Sequence, residues 1–276
     1  MIKNLQDTYT LNNGVQMPGV GLGVYKADDG EEVTSAVRTA IDHGYRLIDT
    51  ASFYGNERGV GEGIRESSMN QNDIFLTSKV WNDEQGYDET LRAFEASLGR
   101  FGFNNLDMYL IHWPVPGKFK ETWKALERLY DERVIQAIGV SNFHKHHLED
   151  LMKDANVKPA VNQVEYHPHL SQGELKPFCD KHDIRMQAWS PLKRGKLFDE
   201  PTVADIAREH GRTPAQIILR WDLQTGVATI PKSTNKERIV ENADIFNFEL
   251  SEHDMTRLKN MNIDDRTGPN PDEMFK

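Results

Sequence analysis

Eight short apolar runs, each followed by a stretch of helical periodicity, leave this chain few folds to choose from. The runs are residues 20–23, 47–48, 74–79, 106–112, 138–142, 161–163, 184–189 and 227–230. Between them, helical spacing places Val33, Val37, Ala40 and Ile41 on one face of residues 31–43, with Gly44 as the stop. Asn56 is expected to cap a helix carrying Val60 and Ile64. Further helices are expected over residues 87–101, 121–131, 146–154, 202–210 and 213–223, the last opening on Pro214. Capping boxes at Ser171 to Glu174 and at Thr234 to Glu237 predict helices running to Lys181 and Ala243, with Pro177 kinking the first of these. Before the first run, Asn12-Asn13-Gly14 between two strand-like segments predicts a β-hairpin that caps one end of the fold.

Strand followed by helix, repeated eight times, argues for an α/β chain folded as a closed parallel (β/α)8 TIM barrel, with an N-terminal β-hairpin and a short polar C-terminal tail from Asp264 to Lys276. A doubly wound open sheet is the competitor. It would be favoured by a dinucleotide turn, but Gly19 to Gly23 and Gly59 to Gly63 both lack the G-x-G-x-x-G spacing and read as packing glycines. No linker or low-complexity run divides the chain, so a single domain over residues 1–276 is expected.

A formal charge of −10 argues against nucleic acid or an anionic membrane as partner, since both call for basic patches. Cys179 is the only cysteine, which excludes an internal disulfide and points to a reducing compartment. With no signal-like or membrane-length apolar stretch, the expectation is a soluble, cytoplasmic monomer whose partners are small molecules.

Chemistry collects at one end of successive strands, where parallel barrels build their sites. Asp49 follows Leu47 and Ile48, Tyr54 follows shortly after, and the next two runs end on Lys79 and His112. An aspartate just past buried strand residues needs a cation or donors. The set suits carbonyl reduction: when hydride reaches the carbon, the oxygen becomes an alkoxide, and donors aimed at it stabilise it. Tyr54 would supply the proton, Lys79 would lower its pKa, Asp49 would hold the lysine and His112 would steer the carbonyl. Read singly, each residue is more simply an ion pair or a satisfied core group; four of them on neighbouring strand ends favour the catalytic reading. Tyr25, Phe53, Trp81 and Trp113 lie just beyond the same strand ends and suggest an apolar substrate pocket. Lys232, Ser233 and Arg238 at the start of a helix suit a phosphate. His167 and His169 form an H-x-H pair, but no further His/Asp set is spaced to complete a metal shell, so no metal is expected.

At these residues the sequence resembles the aldo-keto reductases, and within them the bacterial glyoxal/methylglyoxal and 2,5-diketogluconate reductase type. The resemblance runs through residues 17–23, 44–51, 54–57, 79–81, 107–114, 139–143, 162–165, 189–192 and 230–233, nearly the whole chain. It implies a barrel that binds NADPH in extended form and reduces aldehydes and α-dicarbonyls such as glyoxal, methylglyoxal, aromatic aldehydes and keto sugars. It assigns Tyr54 as general acid, tuned by Lys79 and Asp49, with His112 orienting the carbonyl. Ser141, Asn142 and Gln163 would hold the nicotinamide carboxamide, with the ring stacked on Trp189. Ser190 and Leu192 would line the pyrophosphate path, Lys232, Ser233 and Arg238 would meet the 2′-phosphate, and Glu241 and Asn242 the adenine. Trp189 stands where many members carry tyrosine or phenylalanine, and the short tail implies an open pocket. Two other readings stand beside this one: a metal-dependent hydrolase using His112, His167 and His169, and a barrel that binds nucleotide only to regulate a partner.

Overall fold

The computed structural model describes residues 2–276. It opens with a hairpin, β1 (Thr8–Thr10) and β2 (Gln16–Pro18), paired antiparallel. An eight-stranded parallel sheet follows: β3 (Leu22–Gly23), β4 (Leu47–Asp49), β5 (Phe75–Val80), β6 (Leu106–Ile111), β7 (Ile135–Ser141), β8 (Val161–Glu165), β9 (Arg185–Trp189) and β10 (Ala228–Thr229). Each strand pairs with its neighbour in sequence, so the sheet advances one strand per crossover. At its two ends, the Gly21 N–H donates to the Thr229 carbonyl over 2.9 Å and Thr229 returns a bond to Gly19 over 3.0 Å.

Two apolar layers hold this sheet. Leu47, Phe75, Met108, Leu110, Ala137, Val161 and Ala228 point to one side, where Leu11 and Met17 of the hairpin join them. The hairpin therefore seals the end of the sheet at which the strands begin, as the Asn12-Asn13-Gly14 turn led us to expect; Asn12 donates to Pro159 O and Asn13 to Gln136 O, both over 2.9 Å. The other side packs against the helices α1 (Glu31–His43), α2 (Glu57–Glu66), α3 (Tyr87–Phe101), α4 (Phe119–Asp131), α5 (Lys145–Met152), α6 (Leu175–Lys181), α7 (Pro201–His210), α8 (Pro214–Gln224) and α9 (Lys236–Ala243). The three glycines of α2 are packing positions: an added methyl at Gly61 would overlap the Phe101 carbonyl, and one at Gly63 would sit 2.8 Å from Thr34 O.

Three local expectations need correction. Ser171 caps no helix; Gln172 takes a left-handed φ of 53° and α6 starts only at Leu175. Pro177 thereby falls in the first turn, where the missing N–H costs no interior bond, and produces no mid-helix kink. The cap of α9 is Asn235, whose side chain accepts from the Arg238 N–H, rather than Thr234. A further helix, α10 (Glu252–Lys259), was not anticipated, although Ser251 and Asp254 form a capping box there. Among the described residues, no helix is long and apolar enough to cross a membrane.

Candidate active site

The ends of β4 and β5 meet in a buried ion pair. Lys79 Nζ lies 2.6 Å from Asp49 Oδ1, 2.9 Å from the Thr50 carbonyl and 3.4 Å from the Tyr54 hydroxyl. Asp49 Oδ2 accepts from Gln163 Nε2 over 2.6 Å, and the same amide donates to Gln187 Oε1 over 2.8 Å. Burial pulls Asp49 up and Lys79 down in pKa, against contacts that favour the charged forms. Both ions are met by partners on each side, which is what makes a buried pair tolerable.

Tyr54 stands at the mouth of this pair because a 3-10 turn, Ser52–Tyr54, reverses the chain directly after β4. Its phenol is pushed well above the ordinary tyrosine range, first by burial and then by the Asp49 charge. The Lys79 ammonium, 3.4 Å away, favours the phenolate, but burial sets the net direction. With desolvation dominant and Asp49 adding to it, the phenol is firmly protonated, as a proton donor to an alkoxide needs to be. Its ring lies edge-on to His112, with centroids 5.8 Å apart. Burial, with Lys79 adding, drives His112 well below the usual imidazole range, so it is neutral; its Nδ1 is buried without a partner.

Phe53 stacks on Trp81 with centroids 3.7 Å apart, Trp81 meets His112 edge-on at 5.0 Å, and Tyr25 leans on Tyr54 at 4.9 Å. Phe53 and Tyr25 are 49% and 41% exposed, which leaves this aromatic mouth open. Trp113, directly after His112, is buried, with its carbonyl accepting from Gln85 Nε2 over 2.7 Å.

On the other side of the strand ends, Trp189 closes β9 and is held at both edges. Its Nε1 donates to Asn142 Oδ1 over 2.8 Å, and its benzo edge lies against Gly268, where any added side chain would collide. Asn142 adopts a left-handed φ of 62° and donates to the His112 carbonyl and to Ser141 Oγ, while Ser141 donates to the Gln163 carbonyl. Asn142 thus joins Trp189 to Ser141, and Ser141 to Gln163, with much of the donor capacity of the three spent on each other and on Asp49. Ser190 has a φ of 50° in the next loop, and Leu192 packs partly buried against the core. Lys232 and Arg238 are exposed at the start of α9, and neither has a carboxylate partner among the described residues. Ser233 Oγ accepts from the Asn235 N–H over 3.2 Å; Glu241 accepts from Thr213 Oγ1 over 2.7 Å, and Asn242 is buried beside it. Two free cations at a helix start suit a dianionic phosphate on this acidic chain.

The tail is built into this region. Thr267 donates through both its N–H and its hydroxyl to Glu165 Oε1, and the Gly268 N–H donates to Oε2 over 3.0 Å. His167 Nε2 is 2.9 Å from the same carboxylate. Sequence reasoning gave Glu165 no role, although a glutamate closing a buried strand demands partners as much as Asp49 does. His169 contacts Lys193 and Glu200, so His112, His167 and His169 face different partners and form no common metal shell among the described residues. Cys179 is buried and its thiol is raised to about 12, an inert core group. Two clefts of about 660 and 690 Å³ lie by the hairpin end and beside α9, away from Tyr54.

Residues 19–263 match the model of the aldo/keto reductase family. Glyoxal reductase of Bacillus subtilis is 56% identical over the full length of both chains. Methylglyoxal reductase DkgA of Escherichia coli is 40% identical over 95% of this chain and 96% of its own. A solved mutant of Gox0644 in complex with NADPH superposes with a TM-score of 0.93 at 44% identity, covering 97% of this chain and 98% of the other. The chain belongs to the aldo/keto reductase family and is an oxidoreductase.

Proposed function

We propose that this chain, a single unit over residues 1–276, reduces aldehydes and α-dicarbonyls with NADPH, Tyr54 acting as the proton donor. The observation that carries the reading is the Tyr54 hydroxyl 3.4 Å from Lys79 Nζ, beside a neutral His112 and inside an aromatic mouth. NADPH, when bound, supplies the hydride. Trp189 offers a stacking platform fixed at both edges, Ser141, Asn142 and the carbonyl end of Gln163 surround the carboxamide, and Ser190 and Leu192 border the diphosphate. Lys232, Ser233 and Arg238 receive the 2′-phosphate, with Glu241 and Asn242 at the adenine. As the carbonyl carbon takes hydride, its oxygen gains charge; His112 orients that oxygen and Tyr54 transfers its proton to it. An alkoxide is a far stronger base than a phenolate, so even a raised Tyr54 gives up this proton downhill. Lys79, held by Asp49, then stabilises the phenolate left behind.

The names of the glyoxal and methylglyoxal reductases support small reactive carbonyls as substrates. The open mouth at Phe53 and Tyr25, with Trp81 behind and Trp113 deeper, supports aromatic aldehydes as well, and leaves room for keto sugars. Hydrogen bonds of Thr229 with Gly21 and Gly19 support a sheet closed into a (β/α)8 barrel. Only four large hydrophobics are exposed among the described residues, which supports a monomer; a cytoplasmic location accords with the single buried thiol. The test is NADPH oxidation with methylglyoxal, an aromatic aldehyde and a keto sugar, run beside NADH. Turnover should need NADPH and span several carbonyls, and Tyr54→Phe should lose most of it while binding NADPH nearly as before. Normal turnover in that variant would remove Tyr54 as the acid.

A further inference from the structure

At the start of α5, and again 128 positions later in the tail, three imidazoles and one carboxylate turn toward a common point. His144 Nδ1 is 2.9 Å from Asp272 Oδ2, while His146 Nε2 and His147 Nε2 are 3.1 and 3.7 Å from Asp272 Oδ1. All four ligand atoms lie within 4.8 Å of one another. Zinc bonds of about 2.0–2.1 Å in a tetrahedron put neighbouring ligand atoms roughly 3.4 Å apart, in the middle of these separations. We propose that His144, His146, His147 and Asp272 bind one divalent transition-metal ion of the zinc class, which fastens the C-terminal tail to α5. The site is remote from Tyr54 in its chemistry and stands independently of the reductase reading.

Two of the rings and the carboxyl already have the charge a metal site needs. Burial lowers His144 and His147, the latter to about 4, so both rings are neutral near pH 7. Burial opposes ionisation of Asp272, but the His144 bond and the electrostatic pull of the three rings together outweigh it and hold the carboxyl low. An N3O set of three imidazoles and one carboxylate suits zinc better than calcium or magnesium, which prefer all-oxygen shells.

The groups behind the rings set the affinity. Arg266 Nη2 lies 3.1 Å from His144 Nε2, and the His144 N–H donates to His147 Nδ1 over 3.1 Å. A ligating imidazole carries its proton on the other nitrogen, so the metal must displace both donors. Groups behind the ligands typically change metal affinity about 10–100-fold. Arg266 therefore weakens the site, and its removal should tighten it.

Zinc titrated as the sole metal into the untagged full chain, by calorimetry with chelator competition, should bind one ion per chain and raise the melting temperature. His146→Ala, at an exposed ring, and Asp272→Asn should each weaken binding about tenfold or more, whereas Arg266→Gln should tighten it about tenfold. Metal-free melting temperatures of the variants separate loss of ligands from loss of fold. No zinc binding by the wild type, equal affinity in the His146→Ala/Asp272→Asn double variant, or weaker binding in Arg266→Gln would overturn the site.

Discussion

Asp49 and Lys79 show how much of a site one pair of residues can decide. Neither ion is tolerable alone at its depth, because removing one partner of a buried pair typically costs about 3–5 kcal/mol through the charge left behind. Lys79→Met should therefore destabilise the protein strongly, and adding Asp49→Asn should recover part of the loss even though a second native residue has gone. Denaturant midpoints of the two single variants and the double variant would check this; a double variant less stable than either single would count against a paired role. The four residues proposed for catalysis were legible because polar side chains gather at or just past the ends of three neighbouring strands, where a buried acid or cation needs a partner. Their electrostatics were not. The direction of the Tyr54 shift is set by burial and by the Asp49 charge, and the sequence carries neither the depth nor the distance. Gln163 was legible as a neighbour of the cofactor path, but its bond to Asp49, 114 positions away, was not.

At the scale of elements, α2 is held close to its neighbours by residues with no side chain. In a free helix Gly61→Ala would gain about 1 kcal/mol from propensity alone. Here the added methyl meets the Phe101 carbonyl at the end of α3, a backbone atom that cannot turn aside. Overpacking of this kind costs about 1–3 kcal/mol, so the variant should be less stable than the wild type, and a higher unfolding midpoint would show that α2 has slack it is not drawn with. Most elements could be read from periodicity and stop signals, as in α1 and α3, where Gly44 and Gly102 take left-handed φ at the helix ends. Errors fell where capping chemistry had several candidates in a row: Ser171 is drawn away to Asn262, and Asn235 outcompetes Thr234. Ser251 offered a clear box for α10, but no strand followed it to announce another repeat.

The whole molecule is drawn together by Glu165, which joins the end of β8 to the tail. Burial opposes its ionisation, yet bonds from His167, Thr267 and Gly268 hold it at about 2, below the ordinary glutamate value of 4.5. A carboxyl lowered on folding contributes stability that is complete above its unfolded pKa and drains away as pH falls toward its folded one. Tail attachment should thus be constant above about pH 5 and weaken between roughly pH 4.5 and 2. Hydrogen exchange at the Gly268 amide would follow it, and protection unchanged across that window would show that Glu165 is not the anchor. Charge balance across the sequence anticipated the basic spot at Lys232 and Arg238. It could not anticipate that a short polar tail is bonded into the strand ends through a glutamate a hundred residues earlier. That clasp has a practical side. Gly268 lies against Trp189, and, four residues on, Asp272 lies among the histidines that open α5. A label or cross-link placed within residues 267–272 would therefore be felt at Trp189, and such probes are better attached elsewhere on the surface.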